Sequence, residues 1–295
     1  MNCKKFDVPG VTFSQLESGL EIVTITNKYA TAKITTNGAH VMSYIPTGEK
    51  DLLWVSKKAF LAPGKPIRGG VPVCWPWFGA SLNEGWPGHG FIRKEEWEIV
   101  EIAELPSGAT KIVFKIDSDM KDYEMAEFPF TVHMIFTVGQ QLEMTLVMVN
   151  KGDKPVTIGC ALHTYFAISD INKVAITGLD KAPYLDFRVG APQKYGNIQE
   201  GDVKVTSEID NVYFPASGST EIVDPGWGRI ITVEKSGSDT IVIWNPWKEK
   251  ATTMADYAPE EYTEMICVEC ANAKCDPRVL LPGVPHQITQ KIGLK

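Results

Sequence analysis

The chain has 295 residues with 29 Lys+Arg against 36 Asp+Glu, a formal charge of −7. It has no excess of positive charge to hold a polyanion, so nucleic acid is not an expected partner. A hydrophobic fraction of 44% with 22% charged residues is that of a chain able to bury a sizeable core, which excludes disorder and fibrous repeats. The opening MNCKKFDVPG has no apolar run after its basic pair, and no segment approaches the roughly 18 consecutive apolar residues of a membrane span. A cytoplasmic protein with no membrane partner is the expectation. Six cysteines (Cys3, Cys74, Cys160, Cys267, Cys270 and Cys275) are too few for a disulfide scaffold and are expected to be free thiols.

With 25 glycines and 19 prolines, the chain is punctuated too often for long helices, and short strands are favoured. In chain order, β-rich segments run over Leu20 to Thr26, Ala32 to Thr36, His40 to Ile45, Glu98 to Ile102 and Lys111 to Ile116. Between Phe130 and Val138 the alternation is strict: Phe130, Val132, Met134, Phe136 and Val138 point one way, Thr131, His133 and Thr137 the other. Leu142, Met144, Leu146 and Met148 repeat the pattern, so the two segments predict a hairpin. Further strands are expected at Val156 to Ala161, Lys173 to Thr177, Arg229 to Glu234, Thr240 to Trp244, Met265 to Glu269 and Gln287 to Ile292. More than ten strands without a sustained helical period imply two packed antiparallel sheets, and no linker, repeat or composition shift divides them. The fold class is all-β, a large antiparallel β-sandwich forming a single domain over 1–295.

Several segments do not read as ordinary strand or turn. Arg68 to Gly79 (RGGVPVCWPWFG) is broken by two prolines and bounded by glycines, which makes it a shaped loop: a platform for an apolar ring face, or a cover over the open end of the sandwich. His89 lies between Gly88 and Gly90, where the backbone can approach another group closely. His133 falls on the polar face of its strand, while His40 and His286 need no functional role. His163 follows a β-rich run that should be buried, and a buried imidazole needs a polar partner or a function. Glu269 sits inside the apolar run Met265 to Cys270, where a carboxylate is costly unless paired or used, and is the best candidate base. Cys267 and Cys270 flank it, but strand alternation puts them on opposite faces, against a zinc or redox pair. No phosphate-binding glycine loop occurs, neither a Walker loop nor G-x-G-x-x-G.

Taken in order, RGGVPVCWPWFG (68–79), HGFIR (89–93), LHTYF (162–166), DNVY (210–213) and CVE (267–269) resemble the hexose-6-phosphate mutarotase branch of the aldose 1-epimerase superfamily. The resemblance spans most of the chain and implies a galactose mutarotase-like β-sandwich with a sugar site over one sheet, and neither metal nor organic cofactor. It assigns His163 as general acid and Glu269 as general base. Arg68 and Arg93 correspond to arginines that hold the sugar phosphate, and His89 and Asp210 to residues that bind the sugar. The chain departs from the family pattern at Gly88, where some members have Gln, and at Ile92, where Ala is usual.

The residue types suit anomer exchange. A proton must leave the C1 hydroxyl while the ring oxygen receives one, after which the aldehyde rotates and recloses. A glutamate near its ordinary value of about 4.3 is ionised at neutral pH, and a histidine near about 6.5 is able to carry the proton. Paired, charge-assisted hydrogen bonds from arginine would anchor a phosphate in a chain whose net charge otherwise repels it. Two other readings share the scaffold: an epimerase for unphosphorylated aldoses, which would not need both arginines, and a carbohydrate-binding protein without catalysis.

Overall fold

Alternation becomes pairing in the computed structural model, which describes residues 6–216 and 218–295. Phe130–Val138 and Leu142–Asn150 form the expected hairpin, with Phe130 opposite Asn150 and Val138 opposite Leu142. Phe130, Val132, Met134, Phe136 and Val138 are all fully buried, while Thr131, His133 and Thr137 are half-buried. This hairpin lies inside an eight-stranded antiparallel sheet whose strand order is 175–177, 220–224, 229–236, 286–294, 142–150, 130–138, 110–117 and 98–104.

A second eight-stranded sheet packs over it, in the order 197–198, 183–186, 209–213, 240–245, 265–272, 160–162 and 73–74; Tyr165–Ala167 also pairs with Met265–Asn272. The main core fills the space between them: Ile241, Ile243, Ile266, Val268 and Cys270 from the second sheet meet Met134, Phe136, Leu146, Ile288 and Ile292 from the first. Burying these faces, at about 25 cal/mol per Å², is the main stabilising term. A four-stranded meander, Val11–Gln15 to His40–Pro46, and the small pair Val156–Ile158 with Arg278–Leu280 complete the β structure. Among the described residues no helix is long and apolar enough to cross a membrane. Cys74, Cys160, Cys267, Cys270 and Cys275 are free thiols, and Cys3 lies outside the described residues.

Three expectations change. The segment 156–161 is not one strand: it splits at Gly159 into Val156–Ile158 and Cys160–Leu162, which join different sheets. The Gly159 N–H donates to Pro76 O, and a Cβ there would lie 3.2 Å from Asn272 O and 3.3 Å from Phe78 N, leaving little room for a side chain. The 68–79 segment is not wholly a loop, since Val73–Cys74 pairs with Cys160–Leu162. Ile209–Tyr213, absent from the expected strands, is a full member of the second sheet, with Asp210 opposite Trp244.

The two shaped loops meet at one point. Gly90 adopts φ +71°, and a Cβ there would lie 1.8 Å from the Trp75 carbonyl oxygen. Phe91 N–H donates to that same oxygen at 3.2 Å, so the 86–93 loop is stapled to the Trp75 backbone. Gly64 has a similar φ, +74°, but open space around it. We therefore expect Gly64→Ala to cost about 1 kcal/mol of backbone strain, and Gly90→Ala to cost distinctly more because a backbone oxygen blocks the methyl group. Urea unfolding of the two variants checks this; equal midpoints would show that the loop yields.

Candidate active site

The strand Met265–Asn272 is buried on both faces. Its even-numbered residues Ile266, Val268 and Cys270 enter the main core, so Cys267 and Glu269 must point the other way. His163 comes from the interruption between Cys160–Leu162 and Tyr165–Ala167, both of which pair with that strand: Leu162 lies opposite Cys270 and Tyr165 opposite Cys267. The two residues between are pinned by His163 N–H to Pro72 O at 3.0 Å and by Val268 N–H to Thr164 O at 3.2 Å. This register brings His163 Nδ1 to 3.3 Å from Glu269 Oε1.

The pair lies in a cavity of about 320 Å³, near the lower end of the range for small-molecule sites. Tyr165 stacks on the His163 ring at 4.8 Å and 9°, and Trp244 meets it edge-on at 6.2 Å. Arg68 also lines the cavity, its Nη1 donating to the Tyr165 hydroxyl at 2.9 Å and its Nη2 to Asp256 at 3.3 Å. His89 closes another side at φ +65°, its ring 5.5 Å from that of His163. Its Nδ1 accepts the Gly79 N–H at 3.4 Å, which fixes the tautomer with the proton on Nε2. Burial, with Arg93 and Arg68 nearby, pushes its pKa down to about 3, so at neutral pH His89 is an uncharged N–H donor.

Burial governs the central pair in the same way. Desolvation holds the Glu269 carboxyl well above its usual range, with Asp210 adding to the effect. It holds the His163 imidazole well below its usual value, helped by His89, Arg68 and Arg93. Both shifts run against the ionised glutamate and protonated histidine that ordinary values suggest, because burial penalises the charged form of each. His163 Nδ1 and Glu269 Oε2 are buried without a hydrogen-bond partner. Two unsatisfied polar atoms in a cavity are costly unless an incoming molecule satisfies them.

Cys267 joins them from below, and ligand-type atoms of His163, Cys267 and Glu269 lie within 4.8 Å of one another. Burial keeps the Cys267 thiol protonated. Cys270 is on the opposite face, its Sγ 3.7 Å from Ser238 Oγ and 3.6 Å from Thr289 O, so the two thiols of the CVEC segment do not converge.

A family model for aldose 1-epimerase matches residues 21–293. The chain belongs to the aldose 1-epimerase family. Among its relatives is an Escherichia coli (strain K12) protein named as a provisional glucose-6-phosphate 1-epimerase, 32% identical over 267 residues and covering 90% of this chain and 88% of that one. A Salmonella typhimurium structure described as a provisional mutarotase superposes with a TM-score of 0.89 at 28% identity, covering 97% and 94% of the two chains. A galactose mutarotase-like protein from Lactobacillus casei shares the fold, with a TM-score of 0.72 at 17% identity over 93% of this chain and all of that one (100%).

Of the residues singled out in the sequence, Arg68, His89, His163, Asp210 and Glu269 line this one cavity. Arg93 does not: its Nη2 donates to Gly88 O at 2.9 Å, bracing the His89 loop from behind. Sequence reasoning missed Trp244, Lys250 and Lys274, which also form the wall. Trp244 ends an expected strand and was legible as a candidate face; two lysines in a chain rich in them carried no signal.

Because the pair shares one proton, its titrations belong to the pair. Adding a second proton charges the depressed histidine, so the acid limb of activity should fall well below the ordinary histidine value of about 6.5. Removing the shared proton ionises the elevated carboxyl, so the alkaline limb should lie well above the ordinary carboxylate value. We expect kcat/KM, which reports the unliganded protein, to hold its value as pH falls through about 6.5, measured by anomer-exchange NMR across pH. An acid limb centred at or above about 6.5 would contradict this reading.

Proposed function

We propose that the chain interconverts the α and β anomers of a hexose 6-phosphate, with glucose 6-phosphate the leading substrate, by acid–base ring opening and reclosure. The observation that carries it is the 3.3 Å approach of His163 and Glu269 on the floor of a cavity rimmed by cations, in a chain of the aldose 1-epimerase family. The name carried by the Escherichia coli relative supports the phosphorylated substrate. Wall residues from Arg68 to Lys274 contribute to one cavity, which supports reading the chain as a single domain.

In this mechanism the neutral pair and the ion pair differ only by an internal proton transfer, so no proton need come from solvent. Sugar hydroxyls entering the cavity satisfy the orphaned His163 and Glu269 atoms and restore polar solvation, favouring the charged tautomer. The Glu269 carboxylate then takes the C1 hydroxyl proton while the His163 imidazolium gives one to the ring oxygen. The C1–O5 bond breaks as the C1 carbonyl forms. Rotation about C1–C2 presents the other face, and the reverse transfers close the ring. His89 and Asp210 hold hydroxyls, and Trp244 offers an apolar face to the sugar ring. Acid–base catalysis worth about 10² to 10⁴ is sufficient for a reaction that already proceeds without an enzyme.

Glu269→Gln and His163→Asn should each lower kcat by about 10² to 10⁴ while sugar phosphate binding and thermal stability persist. Anomer-exchange NMR on glucose 6-phosphate, beside glucose and galactose, provides the measurement. Near-native turnover in either variant would remove that residue from the mechanism. Equal rates on phosphorylated and free glucose would favour the unphosphorylated-aldose reading, and saturable binding without faster exchange a sugar-binding role.

A carboxyl and an imidazole in reach of each other need no Lewis acid, so dialysis against a strong chelator should leave turnover intact. Loss of activity restored by zinc would instead make the His163–Cys267–Glu269 group a metal centre.

A further inference from the structure

The cations around the cavity are not equivalent, and their partners separate them. Arg68 is already held by Asp256 and the Tyr165 hydroxyl. Lys250 Nζ is paired with Glu208 Oε1 at 2.7 Å. Arg93 is outside the wall, spent on the Gly88 carbonyl. Of the three that line the cavity, Lys274 is the one with no carboxylate partner among the described residues; its Nζ rests 4.8 Å over the Phe187 ring.

Lys274 is also held in place more firmly than an ordinary exposed lysine. It follows the strand that carries Glu269 and adopts φ +55°, a left-handed conformation uncommon for a residue with a side chain. The turn around it is clamped through buried Asp276, which accepts from Asn272 Nδ2 at 2.7 Å and from Asp239 N–H at 2.8 Å and pairs with Arg278 at 2.6 Å. Across the cavity, Gly79 leaves room for the ammonium: a Cβ there would stand 2.8 Å from Lys274 Nζ. Lys194 lies 4.5 Å from the same Phe187 ring and adds positive charge to this side.

Resting on the hexose 6-phosphate reading, we propose that Lys274 is the phosphate-binding cation of this chain. The sugar then lies with C1 on the dry floor at His163 and Glu269 and its phosphorylated C6 end outward, at the solvated mouth. An ammonium held there without a carboxylate partner forms a charge-assisted hydrogen bond with a phosphate oxygen and asks no existing ion pair to break. Arg68 and Arg93, the residues suggested by family resemblance, act instead in shaping the floor and the His89 loop.

The test compares Lys274→Met, Lys274→Arg and Arg93→Met, with Lys248→Met as a charge control on the exposed face of a neighbouring short helix. Anomer-exchange NMR should show the KM for glucose 6-phosphate rising roughly five- to tenfold in Lys274→Met, the loss falling on KM rather than kcat. Lys274→Arg should recover most of it, and Lys248→Met should match the native protein. Calorimetric titration with inorganic phosphate should follow the same order. Native KM and native phosphate affinity in Lys274→Met would overturn the proposal while leaving the hexose 6-phosphate reading standing. So would a loss of phosphate preference in Arg93→Met that Lys274→Met does not share. If the native protein accelerates no hexose 6-phosphate, that reading fails, and the phosphate titration then decides the anion site alone: weakened binding in Lys274→Met sustains it, unchanged or absent binding overturns it.

Discussion

Burial of one strand on both faces is the constraint from which the site follows. Met265–Asn272 has no exposed residue, so the pleat that drives Ile266, Val268 and Cys270 into the core also drives Glu269 into the second, smaller interior of the cavity. Gln290 reinforces the arrangement from beneath. Fully buried, it donates to Val268 O at 3.0 Å and accepts the Thr164 hydroxyl, joining the strand of Glu269 to the segment of His163 through the opposing sheet. A buried amide satisfied in this way costs little and removes freedom from both backbones. The His163–Glu269 distance is thus set by the sandwich itself rather than by a surface loop.

The same burial sets the chemistry. A carboxyl and an imidazole 3.3 Å apart in water would be an ordinary ion pair; here desolvation moves the two pKa values in opposite directions, each against its charged form. Neutral groups avoid the cost of burying two unscreened charges. The cost falls on two orphaned polar atoms instead, and a polyhydroxylated ligand is the kind of molecule that relieves it.

Much of this was legible in the sequence, but unevenly. Strict alternation identified Phe130–Val138 because that strand has one face in the core and one partly exposed. Ile209–Tyr213 was missed because Asp210 and Asn211 interrupt its apolar pattern, and Asp210 is polar for the reason that it faces the cavity. The 156–161 run looked continuous because composition does not record that Gly159 lets the chain cross between sheets. His163 and Glu269 stood out as ionisable residues in apolar runs, a signal that physics alone supplies. Their protonation did not, since ordinary pKa values describe groups in water and the decisive term is desolvation. Lys274 is invisible at that level: what sets it apart is that Arg68 and Lys250 have carboxylate partners and it has none among the described residues.

These points resolve how an acidic protein accommodates an anionic substrate. With a net charge of −7, long-range attraction cannot bring in a sugar phosphate, so recognition has to be local, within about a Debye length of 8 to 10 Å. Further cations at the floor, beyond Arg68, would depress the histidine more. In the proposed arrangement, with Lys250 offset by Glu208 and Lys274 without a carboxylate partner among the described residues, Lys274 would give the phosphate a partner in solvent while the reacting carbon lies over His163 and Glu269. On the proposed reading, one cavity is divided between proton transfer at its buried floor and anion binding at its exposed rim.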